Sequence, residues 1–259
     1  RVLRRVPEHR YDLYVLSDHG QAPCQAYRAL SGGRRFERWI FDHFLNDRTD
    51  APPEPASRGL AHGIRSRRQG AAGLFQHYLN YIDEDFMRES DPEAYQRNGV
   101  RVIAAGPNAF LYVLDAAEPL DAEALEGLFP ELAEKLSRSP GVGFVLARSE
   151  RGPVCFWRGR RHSLGESGPG PFGGRPDAFL AIRGIRDLMD MPSAGDYVIY
   201  GIDAPQGHVS FIPEAGAHAG PSQDEMNTFI IRPGHVSLPD RIEHPIQLYD
   251  HFIRYQEPS

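Results

Sequence analysis

The feature of this sequence that most constrains its fold is an apolar run that ends in an acid and an imidazole. The run is "YDLYVLS", Tyr11–Ser17, and its near-continuous apolar character is typical of a strand covered on both faces. Asp18 and His19 follow directly, with Gly20 behind them. Strands of this kind predominate in parallel sheets, where ligands bind beyond the carboxyl ends of the strands. The stretch therefore predicts a ligand site at a sheet edge.

Apolar and amphipathic segments alternate along the rest of the chain. Helices are expected at 34–45, 74–87, 121–137, 177–189 and 245–255, and strands at 100–105, 109–114, 142–159 (a hairpin), 196–202, 208–212 and 227–233. Alternation of strands with helices indicates an α/β fold. We expect a core domain over residues 1–99 and 166–259, with a small inserted α+β subdomain over 100–165. The Pro-rich and basic stretch 46–70 is expected to be a loop.

Composition limits the classes of function. The chain has 259 residues and a formal net charge of −6, so no overall basic field attracts nucleic acid. No apolar run reaches the ~18 residues that cross a bilayer. Residues 1–10 lack the apolar segment of a signal peptide, and they resemble the tail of a helix without an initiator Met. We therefore expect the chain to be part of a longer protein. Cys24 and Cys155 are far apart and are expected to be unrelated thiols.

Three side chains are candidate metal ligands. Asp18 and His19 offer a carboxylate and an imidazole, which are natural ligands of Zn²⁺, Mn²⁺ and iron. His218 lies in "GAHAG", where small neighbours allow the backbone to approach another group closely. Each feature alone also fits an ordinary polar loop, and the Asp-His pair recurs at 42–43 and 250–251 within predicted helices. The acidic and amide side chains at 223–225 fit partners that orient His218, or an ordinary polar turn.

Taken together, these motifs resemble the alkaline phosphatase superfamily, and within it the type I phosphodiesterase/nucleotide pyrophosphatase-like proteins. "LSDHGQ" after a strand, "GAHAG" about 200 residues later and the following "NTFIIRP" carry the resemblance, with support from "AAGPNAFLYVL" and "HPIQLYDHFIRYQ". The resemblance covers most of the chain and is weakest across 46–98. It implies a three-layer α/β sandwich with a mostly parallel sheet, incomplete on its N-terminal side.

The resemblance further implies a hydrolase of small phosphoesters, of the phosphodiester or nucleotide pyrophosphate type, with two divalent metal ions, Zn²⁺ or Mn²⁺. Asp18 and His19 would hold the metal that activates the nucleophile, and His218 would hold the other metal. The family's nucleophile and its remaining metal ligands have no match after Arg1. This chain would then be a C-terminal part with little activity alone. A membrane anchor in an upstream part stays open, and self-association at an incomplete sheet edge is expected.

Two other functions compete with this hydrolase. Asp18, His19 and His218 also form the two-histidine, one-carboxylate set of mononuclear non-haem iron enzymes, although those sites usually lie in β-rich barrels. The second alternative is a degenerate domain that acts as a binding module without catalysis. Basic residues within 62–68 fit either contact with a substrate phosphate or a solvated loop.

Overall fold

The computed structural model describes residues 12–45, 96–164 and 170–254. The helices are α1 Tyr27–Leu30, α2 Phe36–Ile40, α3 Ala122–Leu128, α4 Leu132–Leu136, α5 Ala178–Met189, α6 Gln223–Met226 and α7 Ile246–Arg254. A π-helical turn, Phe41–Leu45, extends α2. The strands are β1 Val15–Leu16, β2 Ala22–Pro23, β3 Gln25–Ala26, β4 Gln96–Arg97, β5 Val100–Ala105, β6 Asn108–Val113, β7 Phe144–Ala147, β8 Val154–Trp157, β9 Arg160–Ser163, β10 Tyr197–Tyr200, β11 Val209–Ser210, β12 Gly216–Ala217 and β13 Ile230–Ile231.

The largest sheet has seven strands in the order β4-β5-β6-β10-β7-β8-β9. Every neighbouring pair in it runs antiparallel. The prediction of a three-layer sandwich with a mostly parallel sheet is therefore wrong. Near-continuous apolar strands indicate burial on both faces, but burial does not determine strand direction. Among the strands of the described residues, parallel pairing is limited to β3 with β11.

Apolar clusters cover both faces of the seven-stranded sheet. Along β10, Tyr197 and Ile199 belong to one cluster, and Val198 and Tyr200 belong to the other, as alternation of side chains along a strand requires. The first cluster includes residues of α1 to α4, and the second includes the apolar face of α5. The central strands β7 and β10 are buried along their whole length. This double burial explains why their sequences look like those of parallel strands.

The helix expected at 121–137 is interrupted. Its N-cap prediction is confirmed, because the Asp121 carboxylate accepts a hydrogen bond from the Ala124 amide at 2.8 Å. However, α3 ends at Leu128, and α4 begins only after Pro130 and Glu131, with Glu131 at a φ of 58°. A proline lacks the amide hydrogen that a continuous helix needs, so the segment forms two short helices.

The first predicted strand, Tyr11–Ser17, is much shorter than expected. It is reduced to β1, which pairs antiparallel with β13 through Val15 with Ile231 and Leu16 with Ile230. Both residues of β1 are exposed, whereas the sequence predicted burial on both faces. β1 and β13 form a two-stranded ladder that is separate from the seven-stranded sheet. The sequence did not predict this separation.

Several predictions fall partly or wholly outside the described residues. The helix at 74–87, the loop at 46–70 and the basic residues within 62–68 all lie there. The domain division stays a prediction, although β10 lies between β6 and β7 in one sheet. Within the described part of the chain, no helix has both the length and the apolar character that a membrane span needs.

Candidate functional site

The two loops that carry the predicted ligands are joined by short antiparallel ladders. The first loop, 17–21, runs from β1 to β2, and the second, 218–222, runs from β12 to α6. β2 pairs with β12 through Ala22 opposite Ala217. β1 pairs with β13, the strand that follows α6 in the chain. These ladders bring residues about 200 positions apart in the chain to one place.

The imidazoles of His19 and His218 are in contact. Their rings are stacked with centroids 4.5 Å apart and planes 5° from parallel. Neither residue is buried, so both rings remain accessible to solvent. The structure therefore brings together the two histidines that the sequence selected from the 11 in the chain.

One ring nitrogen of His19 lies within hydrogen-bond distance of the backbone. Its Nδ1 lies 2.7 Å from the Gly20 carbonyl oxygen. Since a carbonyl oxygen only accepts, this contact favours the tautomer with the proton on Nδ1, in which Nε2 is the acceptor. Metal-binding histidines are commonly oriented in this way, with the second ring nitrogen donating to a carbonyl or carboxylate.

The carboxylate of Asp18 lies beside the other ring nitrogen of His19, Nε2. Its Oδ1 is 3.7 Å from His19 Nε2, and its side chain is 88% exposed. Two donor atoms that each lie ~2.1 Å from one tetrahedral zinc ion are about 3.4 Å apart. The separation between Asp18 and His19 is thus close to that of two ligands of one ion. The same carboxylate also accepts from the His19 amide at 3.2 Å, which fixes its position relative to the loop.

Helix α6 connects the two loops through Glu225. The backbone oxygen of Glu225 accepts from the Gly20 amide at 2.8 Å, and its side-chain Oε1 accepts from the Gly220 amide at 3.0 Å. Oε2 accepts from the Ser222 hydroxyl at 2.5 Å and completes a capping box with the Ser222 amide. Glu225 is 3% exposed, and its bonds with the Ser222 hydroxyl and amide are buried. Of the residues 223–225 that the sequence offered as partners of His218, Glu225 acts on the loop backbone.

Glycines in both loops permit very close packing. A Cβ atom on Gly20 would lie 1.9 Å from the Asp224 carbonyl oxygen, and one on Gly220 would lie 2.6 Å from Glu225 Oε2. A Cβ atom on Gly216, in β12 just before the second loop, would lie 2.5 Å from the side-chain nitrogen of Gln21. The expectation that small residues allow a close backbone approach is confirmed at these positions. The approached groups belong to the opposite loop and to α6.

A second tie anchors α6 to the start of α5. The Arg175 guanidinium forms two hydrogen bonds with the Asp177 carboxylate, at 2.9 and 3.0 Å, and donates to the Pro221 carbonyl at 2.7 Å. Gln223 donates to the same carboxylate at 3.2 Å. The bonds with Arg175 lower the pKa of Asp177 from its ordinary value, so the carboxylate stays ionised near neutral pH.

Neither cysteine is suited to thiolate chemistry. Both are free, as the sequence predicted. Burial raises the pKa of the Cys24 thiol, with further contributions from the carboxylates of Glu214 and Glu225. Burial alone raises the pKa of Cys155. Both thiols are therefore protonated at neutral pH and are poor nucleophiles or metal ligands.

One residue near the site was not selected from the sequence. Asn108, at the start of β6, donates from Nδ2 to the Ala219 carbonyl at 3.0 Å, directly after His218. The hairpin between β5 and β6 also contacts the chain directly after β11, because the Phe211 amide donates to the Gly106 carbonyl at 2.8 Å. "GPN" between two strands is typical of a hairpin turn. No sequence signal connects it to a residue 111 positions away.

The donor set fits a divalent transition metal but is not closed. Within residues 12–45, 96–164 and 170–254, no group of three or more His, Cys, Asp and Glu side chains is arranged to hold a metal ion. Two imidazoles and a carboxylate suit Zn²⁺, Mn²⁺ or iron. Coordination by Asp18, His19 and His218 together therefore requires side-chain rotation, which their exposure permits.

Comparisons with protein-family models, with curated proteins and with solved structures found no match for this chain.

Proposed function

We propose that this chain carries a metal-binding part of a metal-dependent phosphoester hydrolase. The observation that supports the proposal is the contact between His19 and His218, with the Asp18 carboxylate 3.7 Å from His19 Nε2. The proposal depends on these residues and on their resemblance to the motifs of phosphodiesterases, and it takes no support from the overall fold.

In this proposal, Asp18 and His19 would hold one divalent ion, His19 through Nε2, and His218 would hold a second ion. The ions, when bound, polarise a phosphoryl oxygen and lower the pKa of a bound hydroxyl or water. The Gly20 carbonyl oxygen, 2.7 Å from His19 Nδ1, would favour the tautomer with the proton on Nδ1 and leave Nε2 available to bind an ion. No residue of this chain is proposed as the nucleophile or as a further metal ligand.

The test begins with Zn²⁺ and Mn²⁺ titrated into the 259-residue chain by isothermal titration calorimetry. His218→Ala is expected to weaken binding by at least about tenfold, because one of few ligands is removed. His235→Ala is the matched control, since His235 is also an exposed imidazole beside a carboxylate, with Nε2 3.3 Å from Asp12 Oδ1. It is expected to bind metal like the unaltered chain.

Hydrolysis of bis(p-nitrophenyl) phosphate is then measured on this chain and on a version extended upstream. We expect little turnover by the chain alone and metal-dependent turnover by the longer version, lost on His218→Ala. Iron-dependent oxygen consumption without phosphoester hydrolysis would favour the mononuclear iron enzyme instead. Absence of metal binding by both proteins would refute the hydrolase proposal.

A specific observation favours the binding module as the second candidate. Large apolar side chains are exposed on the β1–β13 ladder and on α7; they are Leu13, Val15, Leu16, Phe229, Ile231, Ile246, Tyr249 and Ile253. Exposed apolar surface of this kind is typical of interaction sites. The self-association expected at an incomplete sheet edge stays a prediction.

A further inference from the structure

We propose that Asn108 is a positioning residue for His218, an inference that rests on the proposed function of the His19–His218 site. The Asn108 amide nitrogen donates to the Ala219 carbonyl at 3.0 Å. Asn108 is 8% exposed, and its bond to Ala219 is partly buried. It ties the backbone one residue after His218 to the large sheet.

Asn108 is itself held firmly. It is the first residue of β6 and is paired with Ala105 of β5 and with Tyr200 of β10. The adjacent Pro107 carbonyl accepts from the Gly201 amide at 2.8 Å. The donor therefore lies on a strand hydrogen-bonded to neighbours on both sides, which makes it a rigid anchor for a loop.

The residue that accepts this bond has an unusual backbone conformation. Ala219 has a φ of 75°, in the left-handed region that residues with a Cβ rarely adopt. Such a conformation persists where the surroundings hold it in place. On the other side of His218, Ala217 is fully buried and paired with Ala22. The backbone of His218 is thus fixed on one side by a ladder and on the other by Asn108.

Fold stability does not explain the choice of asparagine. The Asn108 Oδ1 atom is buried and has no hydrogen-bond partner among the described residues. An unsatisfied buried acceptor costs free energy that offsets much of the gain from the Nδ2 bond. An apolar side chain of similar size would avoid that cost. We infer that the gain from the asparagine is the placement of the Ala219 carbonyl, and with it the position of the His218 backbone, from which the ring contacts His19.

The test substitutes Asn108→Leu, which keeps similar volume and removes both the donor and the unsatisfied acceptor. Zn²⁺ affinity of the 259-residue chain is expected to fall about tenfold, the lower end of the effect seen when a residue orienting a ligand is lost. Ser137→Ala is the control, because Ser137 is buried and its hydroxyl accepts from the Gly159 amide at 2.8 Å, in a contact remote in sequence from both loops. We expect this control to leave Zn²⁺ affinity unchanged.

A double substitution separates positioning from general damage. In a His218→Ala background, Asn108→Leu is expected to cause no further loss of Zn²⁺ affinity, because the ring that it positions is gone. An equal loss in both backgrounds would overturn the inference. If Asn108→Leu does not fold, Asn108→Ser replaces it; its hydroxyl is too short to span the same contact.

A metal-free measurement keeps this test independent of the proposed function. The ¹⁵N and ¹H resonances of the His218 imidazole are compared between the unaltered chain, Asn108→Leu and Ser137→Ala. A shift in the Asn108 variant alone supports positioning, and unchanged His218 resonances refute it. If the unaltered chain binds no Zn²⁺, the proposed function fails while this readout still decides the role of Asn108.

Discussion

Substitution of Gly20 by alanine is the most direct test of how the two loops are held together. Gly20 follows the candidate ligands Asp18 and His19, and its amide donates to the Glu225 carbonyl at 2.8 Å. A Cβ atom at this position would lie 1.9 Å from the Asp224 carbonyl oxygen and 2.6 Å from the Asn227 carbonyl oxygen. Both neighbours are backbone atoms, so no side chain can rotate away.

The expected magnitude follows from this overlap. Contacts of Cβ with other atoms below 3.0 Å essentially do not occur, so the loop or α6 must move by more than 1 Å. Overpacking of this kind costs about 1–3 kcal/mol, and loss of the Gly20 hydrogen bond costs about 1 kcal/mol more. The reduced entropy of the unfolded chain returns about 0.4–1 kcal/mol. The net loss in the free energy of unfolding is therefore about 1–3.5 kcal/mol.

Urea denaturation followed by circular dichroism measures this loss. Zn²⁺ titration tests whether the two loops still bring their candidate ligands together. The matched control is Gly234→Ala, because Gly234 has no atom within 4 Å of an added Cβ and no positive φ. We expect the control to be as stable as the unaltered chain or slightly more stable. If Gly20→Ala matched Gly234→Ala in both stability and Zn²⁺ affinity, the close packing of the loop on α6 would be refuted.

Two further predictions concern buried carboxylates. Because the pKa of Asp177 is lowered, its pairing with Arg175 stabilises the fold at pH values above about 4, the ordinary pKa of an aspartate. This stabilisation is lost as the pH falls through the pKa of the folded state. Asp177→Asn should cost about 2 kcal/mol at pH 7, and thermal unfolding should show this difference shrinking in acid; a constant difference contradicts the pairing. Burial raises the pKa of Glu37. The stabilisation of the fold that is linked to its protonation is therefore present below pH 4.5 and lost as the pH rises through the pKa of the folded state. Glu37→Gln should equal or exceed the unaltered chain at pH 7 and lose this advantage below about pH 4.5, and lower stability at pH 7 would disprove this sign.

Much of the candidate site could be selected from the sequence, but its geometry could not. His19 and His218 were identified by their neighbours, Gly20 and the small residues of "GAHAG", and the structure brings the two rings into contact. The closed three-ligand set is not present among the described residues, because Asp18 is exposed and oriented by its own loop. Asn108 could not be found, because its contact with Ala219 depends on where a distant hairpin lies.

By itself, the sequence determined elements whose signals are local. The β5–β6 hairpin, α5 and the Asp121 cap depend on periodicity, turn residues and one hydrogen bond within four residues of chain. Only the tertiary structure decided how strands pair. The apolar strands β7 and β10 are buried because helices cover both faces of their sheet, and that burial is equally compatible with parallel and antiparallel neighbours. Strand direction is set by backbone hydrogen bonds between distant segments, and these leave no trace in the apolar pattern of either strand.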